Sequence, residues 1–165
     1  TAAPLCSPLE VNTESMTGIV AWHDAERWYV GLSRTIQNLS GLKKLQPNEG
    51  YRLAFVNGPL YAIGRNQPGI VWKRDLNHEP ISLDQSRAAP VLIQLWKLAA
   101  KGANNASEGM LRMIDKRTGK VSFEQSSVDI LPYYLLNPDP QQSILELKLT
   151  QQTIRLHYAI DEAQK

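Results

Sequence analysis

The clearest alternation of apolar and polar positions lies near the C-terminal end, where Leu145, Leu147 and Leu149 face one way and Glu146, Lys148 and Thr150 the other. Ile154, Leu156 and Tyr158 resume it after Gln151-Gln152, which predicts two antiparallel strands with one wet face. Between Gly109 and Gln125 the same logic recurs: Leu111 and Met113 alternate with Arg112, Asp115 to Gly119 has turn composition, and Val121 and Phe123 share a face. Tyr51, Leu53 and Phe55 alternate ahead of Asn57-Gly58, a pair suited to a tight turn with positive φ. Tyr51 to Ile63 therefore reads as a hairpin turning at that pair.

Two segments carry both periods. Trp28, Leu32, Ile36 and Leu39 recur at helical spacing after Asp24, a fitting N-cap, so 25–40 stays open between a short helix and two strands. Pro90 to Ala100, ahead of Gly102, has helical character too; Val91, Ile93 and Leu95 alternate, however, and Pro90 to Leu98 is read as strand. Residues 1–16, with prolines around Leu9 and Val11, read as a lead-in with at most one short strand. Leu76 to Pro80 and Lys101 to Ser107 have loop composition, and loops 74–87 and 101–108 would carry binding.

Three stretches read alike: Thr17-Gly18-Ile19-Val20-Ala21-Trp22, Pro68-Gly69-Ile70-Val71-Trp72 and Thr118-Gly119-Lys120-Val121-Ser122-Phe123. Their glycines lie 51 and 50 residues apart (69 − 18 and 119 − 69). Each is expected to be a strand, a glycine turn and a strand. Such a period belongs to repeated sheet units that stack because one unit cannot bury both of its faces. At 165 residues the chain suits one domain, 1–165, or a segment of a larger β-propeller, with units centred on 18–22, 69–72 and 119–123.

Hydrophobic residues at 42% and charged residues at 21% place the chain among ordinary globular proteins. Eighteen basic against sixteen acidic residues leave a net +2, without the basic stripe of a nucleic-acid binder. No apolar run reaches the length of a spanning helix. Cys6 is the single cysteine, which excludes an intrachain disulfide and a cysteine metal cluster, and it reads as an inert thiol. The first residues lack the pattern of a signal peptide and the chain begins without methionine, as a processed chain or a segment of a longer one does.

Candidate chemistry is thin. His23, His78 and His157 are far apart and in no metal-ligand spacing; His157 shares a polar face with Arg155. His23-Asp24 and His78-Glu79 have the composition of a carboxylate-oriented base, but adjacent strand residues point to opposite faces, which argues against pairing. Trp22 and Trp28-Tyr29 concentrate aromatic surface, read first as inter-sheet packing and second as a sugar or peptide platform. Lys73-Arg74-Asp75 and Lys116-Arg117 read as solvated turn clusters. The sequons at Asn38 and Asn105 would mark surface loops only in a glycosylating secretory pathway.

Leu60-Tyr61-Ala62-Ile63 before Gly69-Ile70-Val71-Trp72, and Leu111 to Asp115 before Thr118 to Phe123, resemble the repeat of pyrroloquinoline-quinone-like β-propellers. The resemblance covers about half the chain. It departs in having Phe123 for Trp, Pro68 for Thr and one residue fewer before Trp72. It implies that Gly18, Gly69 and Gly119 turn and that Trp22, Trp72 and Phe123 dock between blades. The family includes quinone- and calcium-dependent dehydrogenases as well as non-catalytic scaffolds of the cell envelope. With one cysteine and no match to the ligand or catalytic residues, the chain fits the scaffold branch.

The fold expected is all-β: antiparallel sheets stacked as about three propeller-type blades, with a β-sandwich or barrel carrying one short helix as the alternative. The function expected is a non-enzymatic interaction module, periplasmic or secreted, whose partner is a protein or the remaining blades of a parent chain. No catalytic, cofactor or metal residues are assigned, and neither nucleic acid nor a transmembrane segment is expected. The alternatives are the C-terminal part of a quinoprotein dehydrogenase and a carbohydrate-binding β domain using Trp28 and Tyr29.

Overall fold

The structure is a computed structural model that describes residues 14–34, 53–83, 89–98, 108–128, 135–139, 141–148 and 153–157. Ten strands make up these residues: β1 (Met16–His23), β2 (Arg27–Arg34), β3 (Leu53–Gly64), β4 (Ile70–Ser82), β5 (Val91–Leu98), β6 (Glu108–Asp115), β7 (Val121–Val128), β8 (Leu135–Asp139), β9 (Ile144–Lys148) and β10 (Thr153–His157). They form three open antiparallel sheets, ordered β1-β2-β3-β4, β5-β6-β7 and β10-β9-β8. Each strand pairs with its neighbour in the chain, and the described residues hold no helix and no closed barrel.

The middle sheet is buried on both faces. Leu92 and Ile114 join Tyr29, Val56, Leu60, Ala62, Trp72, Leu76 and Ile81 of the first sheet in one core. Ile93, Leu111 and Met113, the alternate positions of the same two strands, join Leu145 and Leu147 of the third sheet in another. Two buried faces explain why the neighbours Leu92 and Ile93 are both apolar, so that periodicity alone does not separate 91–98 from a helix; it is strand β5. In the third sheet the alternation is clean, because one face meets this second core while Lys148, Thr153, Arg155 and His157 are exposed.

The β3–β4 and β6–β7 hairpins are two copies of one construction. Ala62 faces Trp72 as Met113 faces Phe123; a bulge follows, and then Ile63 faces Ile70 as Ile114 faces Val121. Each residue of the second set lies 51 positions after its counterpart (113 − 62, 123 − 72). The turns close alike, by Gly64 N–H to the Gly69 carbonyl at 3.0 Å and Asp115 N–H to the Lys120 carbonyl at 2.8 Å. This register places Gly119 against Pro68, so Gly69 and Gly119 both sit in turns but one step apart. Gly18 does not turn: it lies within β1, beside a bulge, with open space where a Cβ would stand.

Two further expectations are corrected, and one segment left open between helix and strand is decided. Asn57-Gly58 makes no hairpin; β3 runs straight through it, and the register shifts there from Val56 facing Glu79 to Gly58 facing Leu76, so the extra residue of a bulge lies in β4. Gly58 has φ of 151° and a Cβ there would meet the Leu32 carbonyl oxygen at 2.8 Å, so glycine serves close strand approach as well as dihedral freedom. Leu76 to Pro80 is strand β4, not loop. Residues 27–34 are strand β2: Trp28 and Leu32 are four apart, which puts them on one face of a strand as readily as of a helix. Leu9 to Val11, 35–40 and 99–107 lie outside the described residues.

Candidate functional site

Where the first two sheets meet, two turns bring a carboxylate and an ammonium together out of water. Asp24 follows β1, and its Oδ1 accepts the backbone N–H groups of Glu26 and Arg27, each at 2.9 Å, which shapes the β1–β2 turn. Asp115 Oδ1 does the same for Arg117 and Thr118, at 2.6 and 3.1 Å, in the β6–β7 turn. That second turn points Lys116 back at the first sheet. Lys116 Nζ lies 3.1 Å from Asp24 Oδ2, which also accepts the Tyr29 hydroxyl at 2.9 Å. Asp24 and Lys116 are only 6% and 4% exposed, and Tyr29 is fully buried.

The same turn seats an indole. Trp72 donates its Nε1–H to the Lys116 carbonyl at 2.6 Å, and its ring lies over Gly119, where a Cβ would come within 2.7 Å of it. Gly119, with φ of 70°, is therefore a glycine for two reasons: the turn and the ring. Farther along the interface Glu79 of β4 accepts Arg112 Nη1 at 2.7 Å and Gln94 Nε2 at 3.1 Å, and the Arg112 guanidinium lies over the Trp96 ring. At the next interface Phe123 packs into the core shared with the third sheet.

Burial shapes the proton chemistry of this joint. It works to raise the Asp24 carboxyl, but the Glu26 N–H and the Lys116 charge outweigh it, and the group is held below the ordinary carboxylate range. Lys116 is pushed down by burial against the pull of Asp24, and the Tyr29 phenol is pushed far up, by burial first and the Asp24 charge second. Such a cluster holds protons fixed. A carboxylate saturated by four donors and a phenol sealed in the core have no route to a substrate, so the arrangement is a fastener between sheets.

A carboxylate with a lowered folded value adds stability above about pH 4 that is lost as pH falls through that value. The loss of melting temperature between pH 5 and pH 2.5 (roughly the range in which such carboxylates titrate) is expected to be shallower in Asp24→Asn than in the parent chain. Equal slopes would show that Asp24 ionises alike folded and unfolded.

The residues singled out in the sequence are scattered by the fold. His23 packs on Trp28, ring centroids 4.6 Å apart, on the outward face of the first sheet, while the Asp24 carboxylate points inward; the two do not pair. His78 stacks on Phe55 at 5.2 Å, and Glu79 beside it turns to Arg112, so this dyad is absent as well. His157 is exposed on β10. Trp28 and Tyr29 lie on opposite faces, and Tyr29 has no surface to offer a sugar. Trp22 stacks on Tyr29 at 5.3 Å inside its own sheet, whereas Trp72 and Phe123 reach the next one.

Lys73, Arg74 and Asp75 belong to β4, with Arg74 donating to the Gly119 carbonyl at 3.3 Å. Lys116, read from sequence as a solvated turn residue, is the buried cation of the joint. No local pattern could have found it, since its partner is 92 positions away (116 − 24). Cys6, Asn38 and Asn105 lie outside the described residues. Among the described residues no group of three or more His, Cys, Asp or Glu could hold a metal, and no helix is long and apolar enough to cross a membrane.

No family model matches the chain, and no curated protein or solved structure matches it either.

Proposed function

We propose that the chain is a non-catalytic interaction module made of three propeller-type blades and belonging to a larger extracytoplasmic protein or assembly. The observation that carries this reading is the repeated hairpin, whose aromatic reaches into the following sheet in both cases, Trp72 into the middle sheet and Phe123 toward the third. Sheets joined this way form a one-dimensional stack in which each contacts only its neighbours. The two ends of the stack differ. The third sheet turns Lys148, Arg155 and His157 outward, with Glu146 clasped by Lys148 at 3.1 Å and Arg155 at 3.0 Å. On the first sheet Leu32, Tyr61 and Ile63 form a buried cluster with Met16, Trp28 and Val30 half-buried against it, and Ile19 of β1 is 62% exposed. Exposed Ile19 is the apolar point at which another protein surface would add.

Light scattering on the purified chain tests this. Association that grows with concentration and is abolished by Ile19→Glu is the expected outcome. A monomer at every concentration, with Ile19→Glu changing nothing, would sink the interaction reading.

A further inference from the structure

Of the edge strands in the three sheets, β1 is the one whose sequence does nothing to keep another strand away. The others each carry a charge or a proline of the kind that holds sheet edges apart: Lys73 and Pro80 in β4, Lys97 in β5, Glu124 in β7, Pro138 in β8 and Arg155 in β10. Met16–His23 is eight residues long and has no proline, lysine, arginine, aspartate or glutamate. It pairs with β2 along one side from Met16 to His23. Among the described residues no strand pairs with its other side, so alternate backbone N–H and C=O groups point out of the sheet there. The close backbone approach of the first two sheets is β4 against β5, at the opposite edge, which leaves room beside β1.

We propose that β1 pairs antiparallel with β1 of a second copy of this chain about a two-fold axis at Val20, joining two four-stranded sheets into one of eight. This rests on the interaction reading above and names its partner. Residues opposite one another in an antiparallel pair lie on the same face of the sheet, and in this register each face of β1 is completed by itself. On the outward face Ile19, 62% exposed, meets the small, exposed Ala21 of the copy. On the inward face the half-buried Trp22 meets Gly18, where a Cβ would have nothing within 4 Å; an aromatic laid across an edge glycine stabilises strand pairing. A slip of two residues loses both fits, setting Gly18 against Val20 in one direction and Ile19 against His23 in the other. No like charges are opposed, because β1 carries no acidic residue, lysine or arginine. The two-fold uses up both β1 edges. The outer edges of the joined sheet are then β4 and its copy, which are guarded, so assembly stops at two chains.

Amide hydrogen exchange read residue by residue tests the pairing. In the single chain only alternate amides of residues 18–23 are protected, by β2; at concentrations where the chain associates, the rest should become protected too, and dilution or Ile19→Glu should abolish that gain. Cysteine pairing tests the register. With Cys6→Ser in every chain, a mixture of Ile19→Cys and Ala21→Cys chains should form more cross-linked dimer on mild oxidation than either variant does alone. Association that leaves the alternate amides exchanging freely would overturn the strand pairing, and so would full protection of 18–23 at every concentration and in Ile19→Glu, since the chain itself would then cover that edge. No excess of mixed cross-link would overturn the register. Association lost in Ile19→Glu without any change at the β1 amides leaves the interaction reading standing while this pairing fails; a chain that never associates fails both.

Discussion

Replacing Trp72 by alanine is expected to cost about 3–5 kcal/mol, the range for emptying a buried tryptophan site. The indole is 7% exposed, belongs to the core that joins the first two sheets, packs 6.1 Å from the Tyr29 ring and donates to the Lys116 carbonyl. Its loss leaves a cavity over Gly119 and strips a buried carbonyl of its donor, so the transfer, cavity and hydrogen-bond terms act together. Trp72→Phe separates them. It keeps most of the ring and loses the N–H, and about 1–3 kcal/mol is expected from the orphaned carbonyl. Urea unfolding measures both; a Trp72→Ala midpoint equal to that of the parent would show that the sheets are not held together through this residue.

Lys116→Met is expected to be nearly as damaging, about 3–5 kcal/mol, because it leaves the Asp24 carboxylate buried without its cation. The methionine fills similar volume, so the cost is electrostatic and not a cavity. The double variant Asp24→Asn with Lys116→Met removes both charges and keeps an oxygen for the Glu26 and Arg27 N–H groups. It should recover more than half of the loss, since a buried pair replaced by neutral groups of similar size is often close to neutral. A double variant no more stable than Lys116→Met alone would mean that the methylene stem, not the charge, is what the site needs. The pair then fixes how the sheets are aligned more than how tightly they hold.

The all-β architecture could be read from the sequence because it is written in local patterns. Leu145, Leu147, Ile154 and Leu156 alternate since the third sheet has one wet face, and Asp115 to Gly119 turns by side-chain and glycine chemistry that acts within four residues. The Asn57-Gly58 misreading has a definite cause: a glycine free for a tight turn is equally free to pass close to a neighbouring strand. Only the long partner strand β4, which carries the extra residue of the bulge with His78 at φ of 51°, decides between them. Gly18 shared composition with Gly69 and Gly119 without sharing their place in a hairpin. The joint of Asp24, Tyr29 and Lys116 stayed hidden because burial of a lysine depends on which sheets stack, and stacking leaves no mark on neighbouring residues.

Every sheet being a simple meander bears on how the chain folds. Strands that pair only with their neighbours in sequence keep contacts local, and the entropy of closing long loops is what usually makes β proteins slow. The β6–β7 hairpin needs only the residues between Asp115 and Val121 to be looped, and β9–β10 is joined as briefly. Each sheet can thus assemble by itself, in any order, as the chain emerges. What a sheet cannot complete alone is the docking of its neighbour, in which Trp72 leaves water for its seat against Lys116 and Gly119.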